Sequence, residues 1–151
     1  MISSDFASGG ERSFTSVEAG GESPLQTRPN GLATVLVVED ERVTRDFFVA
    51  ALRQAGFDVD VAVDGLEAIG RLESKAYDAL VLDLQLPRLD GMGVLRFLSE
   101  RHPEVLCRVA LVTGLSVRDI KPLYPICGTL PKPVTASRLV EIVRDCLGRN
   151  G

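Results

Sequence analysis

Four short apolar runs each stop at a residue able to bind a cation or touch an anion, and this repetition constrains the fold more than any other feature. Thr34-Val35-Leu36-Val37-Val38 stops at Glu39-Asp40, and Ala79-Leu80-Val81-Leu82 stops at Asp83. Val109-Ala110-Leu111-Val112 stops at Thr113-Gly114, and Thr129-Leu130-Pro131 stops at Lys132-Pro133. The runs are continuously apolar rather than alternating, as strands covered on both faces must be. If they lie side by side and parallel, three carboxylates, a hydroxyl and an ammonium meet at one sheet edge.

The segments between the runs read as helices. Val43, Phe47 and Ala50-Ala51 recur at helical spacing from about Glu41 to Ala55, and Gly56 sits where a C-cap belongs. Asp58 to Ala62 reads as a second strand, and Asp64 as the N-cap of a helix over Leu66, Ile69 and Leu72. A loop, Leu86-Pro87-Arg88-Leu89-Asp90-Gly91, leads to a helix that buries Val94, Leu95 and Leu98 and stops before His102-Pro103. The fourth crossover, Ser116 to Gly128, is punctuated by Pro122 and Pro125, which end any helix early. The last helix starts near Thr135 and carries Leu139, Ile142, Val143, Cys146 and Leu147 on one stripe. The fold class expected is α/β, a doubly wound five-stranded parallel sheet with right-handed crossovers and helices on both faces. In such sheets ligands bind beyond the carboxyl ends of the strands, which makes the four run ends a predicted site.

Residues 1–31 are rich in serine and glycine and lack periodicity, so they are expected to form a flexible tail ahead of a domain spanning 32–149. The 151 residues carry a net charge of −4, which argues against nucleic acid and anionic membranes as partners. No stretch approaches the roughly 20 apolar residues of a membrane span, and the N-terminus lacks a secretory pattern, so the location expected is cytoplasmic. Cys107, Cys127 and Cys146 are widely spaced with no CxxC pair, and are expected to be reduced.

The run ends suit Mg²⁺, a hard cation that takes a few carboxylates and keeps several waters. Asp40 and Asp83 supply oxygens, with Glu39 direct or through water. Asp83 is also the best nucleophile, because a carboxylate can form an acyl phosphate. Lys132 and the Thr113 hydroxyl would each engage a phosphoryl oxygen, as phosphoryl transfer requires positioning and charge neutralisation above all. Taken singly, these residues fit blander roles: Glu39-Asp40 a helix start, Asp83 a loop acid, Thr113 a turn residue, Lys132 a solvated amine. Their joint occurrence at successive strand ends favours the site.

The segments VLVVEDE at 35–41, LVLDLQLPRLDG at 80–91, ALVTG at 110–114 and LPKP at 130–133 resemble the receiver domain of two-component response regulators. The resemblance spans roughly Ala33 to Leu147 and implies strand order 2-1-3-4-5. It implies Asp83 as phospho-acceptor, Glu39 and Asp40 as Mg²⁺ ligands with the Gln85 carbonyl, Thr113 and Lys132 as residues that respond to the phosphoryl group, and a cis Lys132–Pro133 bond. It also implies a sensor histidine kinase or histidine phosphotransfer protein as donor, a downstream protein target, and a phosphorylation switch rather than a turnover enzyme. Only four residues follow Leu147, so a stand-alone receiver is expected. Relatives commonly carry an aromatic residue three positions before the lysine; here it is Thr129, and Tyr124 is the aromatic candidate to stand in. His102 and the Phe47-Phe48 pair read as surface and packing residues.

Three other readings are weighed. A docking module with the same fold but no phosphorylation switch is favoured by Thr129 and opposed by the complete acidic set. A haloacid dehalogenase-type phosphatase needs a second Asp where Gln85 stands. A flavin protein needs a Ser/Thr/Gly-rich phosphate loop where Glu39 and Asp40 stand. If the three carboxylates adjoin, their repulsion costs stability without metal. Neutral isosteres at Asp40 or Asp83 are therefore predicted to raise the metal-free melting temperature and to weaken stabilisation by Mg²⁺; no rise in either variant would mean that the groups are not adjacent.

Overall fold

The computed structural model describes residues 31–114 and 123–148. The segment read as a flexible tail, apart from Gly31, and most of the fourth crossover lie outside them. Five strands form one parallel sheet: β1 (Thr34–Val38), β2 (Asp58–Ala62), β3 (Ala79–Leu82), β4 (Val109–Thr113) and β5 (Gly128–Pro131). Their order is β2-β1-β3-β4-β5, as expected. The register pairs Val35 with Val59 and Ala79, Leu80 with Val109, and Ala110 with Gly128.

Helix α1 (Arg42–Gln54) begins at the N-cap Glu41, whose carboxylate accepts from the Thr44 amide at 2.7 Å and also bonds the Thr44 hydroxyl. Helix α2 (Gly65–Ser74) begins at Asp64, which accepts from the Glu67 amide at 2.7 Å. Helix α3 (Gly91–Arg101) begins at Asp90, and α4 (Ala136–Gly148) follows Thr135, whose hydroxyl accepts from the Arg138 amide. These caps satisfy amides that a helix start leaves without partners. A 3₁₀ turn over Pro103–Arg108, not anticipated from the sequence, joins α3 to β4.

The sheet separates two apolar layers. Val35, Val37, Val81, Ala110 and Val112 pack against α1 and α4 through Phe48, Leu52, Leu139 and Val143. Leu36, Val38, Leu80, Leu82, Val109 and Leu111 pack the other way against α2 and α3 through Ala68, Val94, Leu95 and Leu98. Successive strand residues thus enter opposite layers, and every residue of β1, β3 and β4 is buried.

Two findings differ from expectation. Cys127 and Cys146 form a disulfide, while Cys107 is free. Sequence spacing hides this pair because β5 and the helix after it fold back on each other, bringing Cα atoms 19 residues apart to 5.6 Å. Tyr124 does not stand in for the missing aromatic. It precedes Cys127, whose amide bonds the Val109 carbonyl at the foot of β4, so it lies at the amino edge of the sheet, opposite Thr113.

Gly91 lets α3 start against the end of β3. A Cβ there would lie 2.5 Å from the Asp83 carbonyl oxygen and 2.6 Å from the Leu84 Cα. Gly91→Ala is therefore expected to cost about 1–3 kcal/mol by overpacking, read as a lower urea midpoint with an unchanged slope; an unchanged midpoint would show that this approach is not tight.

Candidate functional site

The site lies at the carboxyl edge, where the sheet brings three strand ends together. Glu39 and Asp40 follow β1, Asp83 follows its neighbour β3, and Lys132 follows β5. Glu39 and Asp83 are 1% and 4% exposed, whereas Asp40 faces solvent. One carboxylate oxygen from each of the three lies within 4.8 Å of the others, a spacing that fits one small hard cation.

Lys132 reaches across from β5. Its Nζ donates to Glu39 Oε1 at 2.8 Å and to Asp83 Oδ2 at 2.9 Å. Its amide donates to the Thr113 carbonyl at 3.0 Å, and the Lys132–Pro133 peptide is cis. The electrostatics follow. Burial pushes the Glu39 carboxyl above its usual range, opposed by hydrogen bonds from Lys132 and the Glu41 amide and reinforced by the charge of Asp83. Burial works to lower the Lys132 pKa, but hydrogen bonds and attraction from Glu39 and Asp83 outweigh it and hold the ammonium above its ordinary value.

The remaining predicted residues occupy the same edge. Leu82 pairs with Leu111, so the buried Thr113 ends the adjacent strand one step beyond the level of Asp83. The backbone amide of Gln85 donates to Asp83 Oδ1 at 3.1 Å. His102 caps α3 far along the chain from these groups. The packed face of α1 differs from the one expected: Phe48, Ala51 and Leu52 are buried, whereas Val43 and Phe47, read as the inward stripe, are 73% and 42% exposed.

Sequence reasoning missed two supporting residues. Arg45 donates to the carbonyls of Glu39 and Asp40, both at 3.2 Å, and pins the acidic turn. Its placement one helical turn into α1 was the available signal. Arg88, at φ 68°, pairs its Nε with Asp64 at 3.1 Å and fastens the loop after Asp83 to α2. Nothing in the spacing of Asp64 and Arg88 indicates that contact.

Residues 35–144 match the family described as the response regulator receiver domain. The chain belongs to that family. Response regulator MprA of Mycobacterium avium is 45% identical over 116 residues, covering 76% of this chain and 51% of the relative. Sensor kinase CckA of Brucella abortus is 35% identical over 124 residues, covering 78% of this chain and 13% of the relative. The chain thus spans about half or less of the curated relatives it matches. Among solved structures, response regulator TrrA of Thermotoga maritima, in complex with Mg²⁺ and BeF, superposes with a TM-score of 0.69 at 26% identity, covering 77% of this chain and all of that one. The receiver domain of a sensor histidine kinase from Pseudomonas aeruginosa, with magnesium in its active site cleft, gives a TM-score of 0.68 at 26% identity, covering 78% and 98%. Receiver domains of response regulators are therefore what this chain resembles in sequence and fold.

Because Asp83 accepts from Lys132, neutralising it removes an attraction together with a repulsion, which makes Asp40→Asn the cleaner test of carboxylate crowding in this receiver domain. Lys132→Met would strand two buried carboxylates and is expected to cost about 3 kcal/mol, the low end for a broken buried pair because the ammonium is 26% exposed. The deficit should shrink as pH falls toward the ordinary carboxylate range. Burial already raises the Glu39 carboxyl in the folded protein, and loss of the ammonium that opposes this raises it further, so the variant gains more stability on acidification than wild type does. A melting-temperature deficit that does not change with pH would refute this coupling.

Proposed function

We propose that this receiver domain accepts a phosphoryl group on Asp83 from a phosphohistidine donor in a Mg²⁺-dependent reaction, and signals through protein partners. The observation that carries the reading is the buried Asp83 carboxylate, held 2.9 Å from the Lys132 ammonium inside a cluster of three acids. In the reaction an Asp83 oxygen attacks phosphorus in line and the P–N bond to the donor imidazole breaks. The electron pair of that bond leaves with the imidazole nitrogen, and Asp83 becomes an acyl phosphate. The amide of Gln85 orients the carboxylate by holding Oδ1. Lys132 neutralises one phosphoryl oxygen and Thr113 bonds another. Glu39, Asp40 and Asp83, with the Gln85 carbonyl, would hold Mg²⁺. The bound ion would neutralise charge on the transferring group and offset the repulsion among the acids.

An apolar groove adjoins the site and suits a donor protein. It holds about 520 Å³ between Val43, Phe47 and Phe48 of α1 and Lys132, Pro133 and Val134 after β5. Val43 and Phe47 leave large apolar surface open there, 73% and 42% exposed. A sensor histidine kinase or a histidine phosphotransfer protein is the donor proposed, in the cytoplasm. Phosphorylation then shifts a two-state equilibrium around Thr113 and changes affinity for a downstream protein target. The chain acts as a switch that gains and loses its own phosphoryl group, not as an enzyme that turns over a separate substrate.

Thr129 favours a second reading, a docking module whose partner affinity ignores phosphorylation. The residue is half-buried in β5 at the position where relatives commonly carry an aromatic switch. Intact mass after incubation with acetyl phosphate tests the primary reading. Wild type should gain one phosphoryl group only when Mg²⁺ is present, and Asp83→Asn should gain none. No gain in wild type, or an equal gain in Asp83→Asn, would refute it. If the acyl phosphate forms but partner affinity is unchanged, the docking reading replaces the switch.

A further inference from the structure

We propose that Cys127 and Cys146 form a reversible redox site, which when oxidised ties the Lys132-bearing strand to the last helix. The bond closes a loop of 19 residues that contains β5, Lys132, the cis Lys132–Pro133 peptide, the cap Thr135 and most of α4. Cys127 stands immediately before the foot of β5, and Cys146 lies two residues from the end of α4. The unit that delivers the ammonium to Glu39 and Asp83 is therefore the unit that the bond encloses.

Both oxidation states suit the same fold. The two cysteines lie in the apolar layer with Leu139, Val143 and Leu130, 6% and 0% exposed. A reduced thiol there behaves as a small apolar residue, so breaking the bond leaves no charge and no hole. Approach from solvent is one-sided. A cleft of about 230 Å³ is bounded by Cys127, Thr129, Arg138, Glu141 and Asp145, whereas Cys146 is fully enclosed. In the cytoplasmic setting proposed above, thiol pools keep such pairs reduced, so this bond would form as a response to oxidation.

The chemistry is thiol–disulfide exchange with a low-molecular-weight disulfide, RSSR. The Cys127 thiolate, having released its proton to solvent, attacks one sulfur of RSSR. The S–S bond of RSSR breaks and RS⁻ leaves and is protonated. The Cys146 thiol then gives up its proton and attacks the Cys127 sulfur, expelling the second RS⁻, which takes up a proton in turn. Two electrons pass from the cysteine pair to RSSR, giving one internal disulfide and two RSH. Reduction runs backwards: an external thiolate enters at Cys127 and Cys146 leaves as thiolate.

The test uses the whole chain with Cys107→Ser, which removes the remaining thiol. Samples equilibrated across a series of reduced-to-oxidised glutathione ratios are alkylated, and intact mass counts the blocked thiols. Hydrogen exchange and melting temperature are read on the same samples. We expect a single step from two blocked thiols to none within the series. Oxidation should raise the melting temperature by about 5–15 °C and slow exchange of the amides over 136–148 at least about tenfold. Cys127→Ser should show no difference between the two buffers, and wild type in reducing buffer supplies the same comparison if that variant does not fold. Thiols that stay free at every ratio, a bond that survives excess dithiol in the folded chain, or exchange that ignores oxidation state would each overturn the proposal. Beryllofluoride binding with Mg²⁺, measured on both forms, separates this outcome from the receiver reading. Absence of binding in both forms would refute that reading while the redox step stands, and a missing redox step with intact binding would refute the redox site alone.

Discussion

The Lys132 ammonium, set between the carboxylates of Glu39 and Asp83, is the contact on which the site depends. Placing two acids nearly closed off from water a few ångströms apart is costly without a cation, because the interior screens their repulsion poorly. Lys132 supplies that cation at 2.8 and 2.9 Å and is itself held charged by the two acids. The arrangement requires β5 to end level with β1 and β3. Hydrogen bonding from Lys132 to the Thr113 carbonyl and the pairing of Thr113 with Pro131 set that level.

Around this contact the structure invests backbone and side chains in holding the acidic turn still. Arg45 grips two carbonyls of the turn, Glu41 caps α1, and the Glu41 amide bonds Glu39 Oε2 at 3.1 Å. On the other side Gly91 admits α3 against Asp83, and Arg88 ties the intervening loop to Asp64. Asp83 is therefore approached from one open side, where Asp40 is exposed and the apolar groove beside Lys132 begins. An acidic cleft with one exposed carboxylate is suited to taking up a hydrated cation.

Much of this was legible before any coordinates. Strands buried on both faces must be apolar throughout, so β1, β3 and β4 announced themselves within a residue of their ends. Asp64 and Thr135 announced helix starts because few residues can satisfy free amides. A parallel sheet with Glu39, Asp40, Asp83 and Lys132 at one edge followed from alternation of strands and helices, whereas the strand order came only from the resemblance to receiver domains. Three expectations did not hold or lacked any signal. The cysteines were expected reduced, yet Cys127 and Cys146 pair because β5 and α4 return on each other. Tyr124 was a candidate to replace the aromatic missing at Thr129, yet it stands at the wrong end of the sheet. The 3₁₀ turn over Pro103–Arg108 carries no periodicity from which to read it.

The sequence by itself determined which residues are apolar and where each apolar run stops, and hence the fold class and the edge that holds the chemistry. Tertiary structure alone decided which oxygens share the Lys132 ammonium, that Arg88 fastens the loop to Asp64, and that two cysteines lie within bonding distance. The physical reason is range. Burial and capping act on neighbours along the chain and leave a local pattern, whereas ion pairs and disulfides join residues whose separation in sequence says nothing of their separation in space.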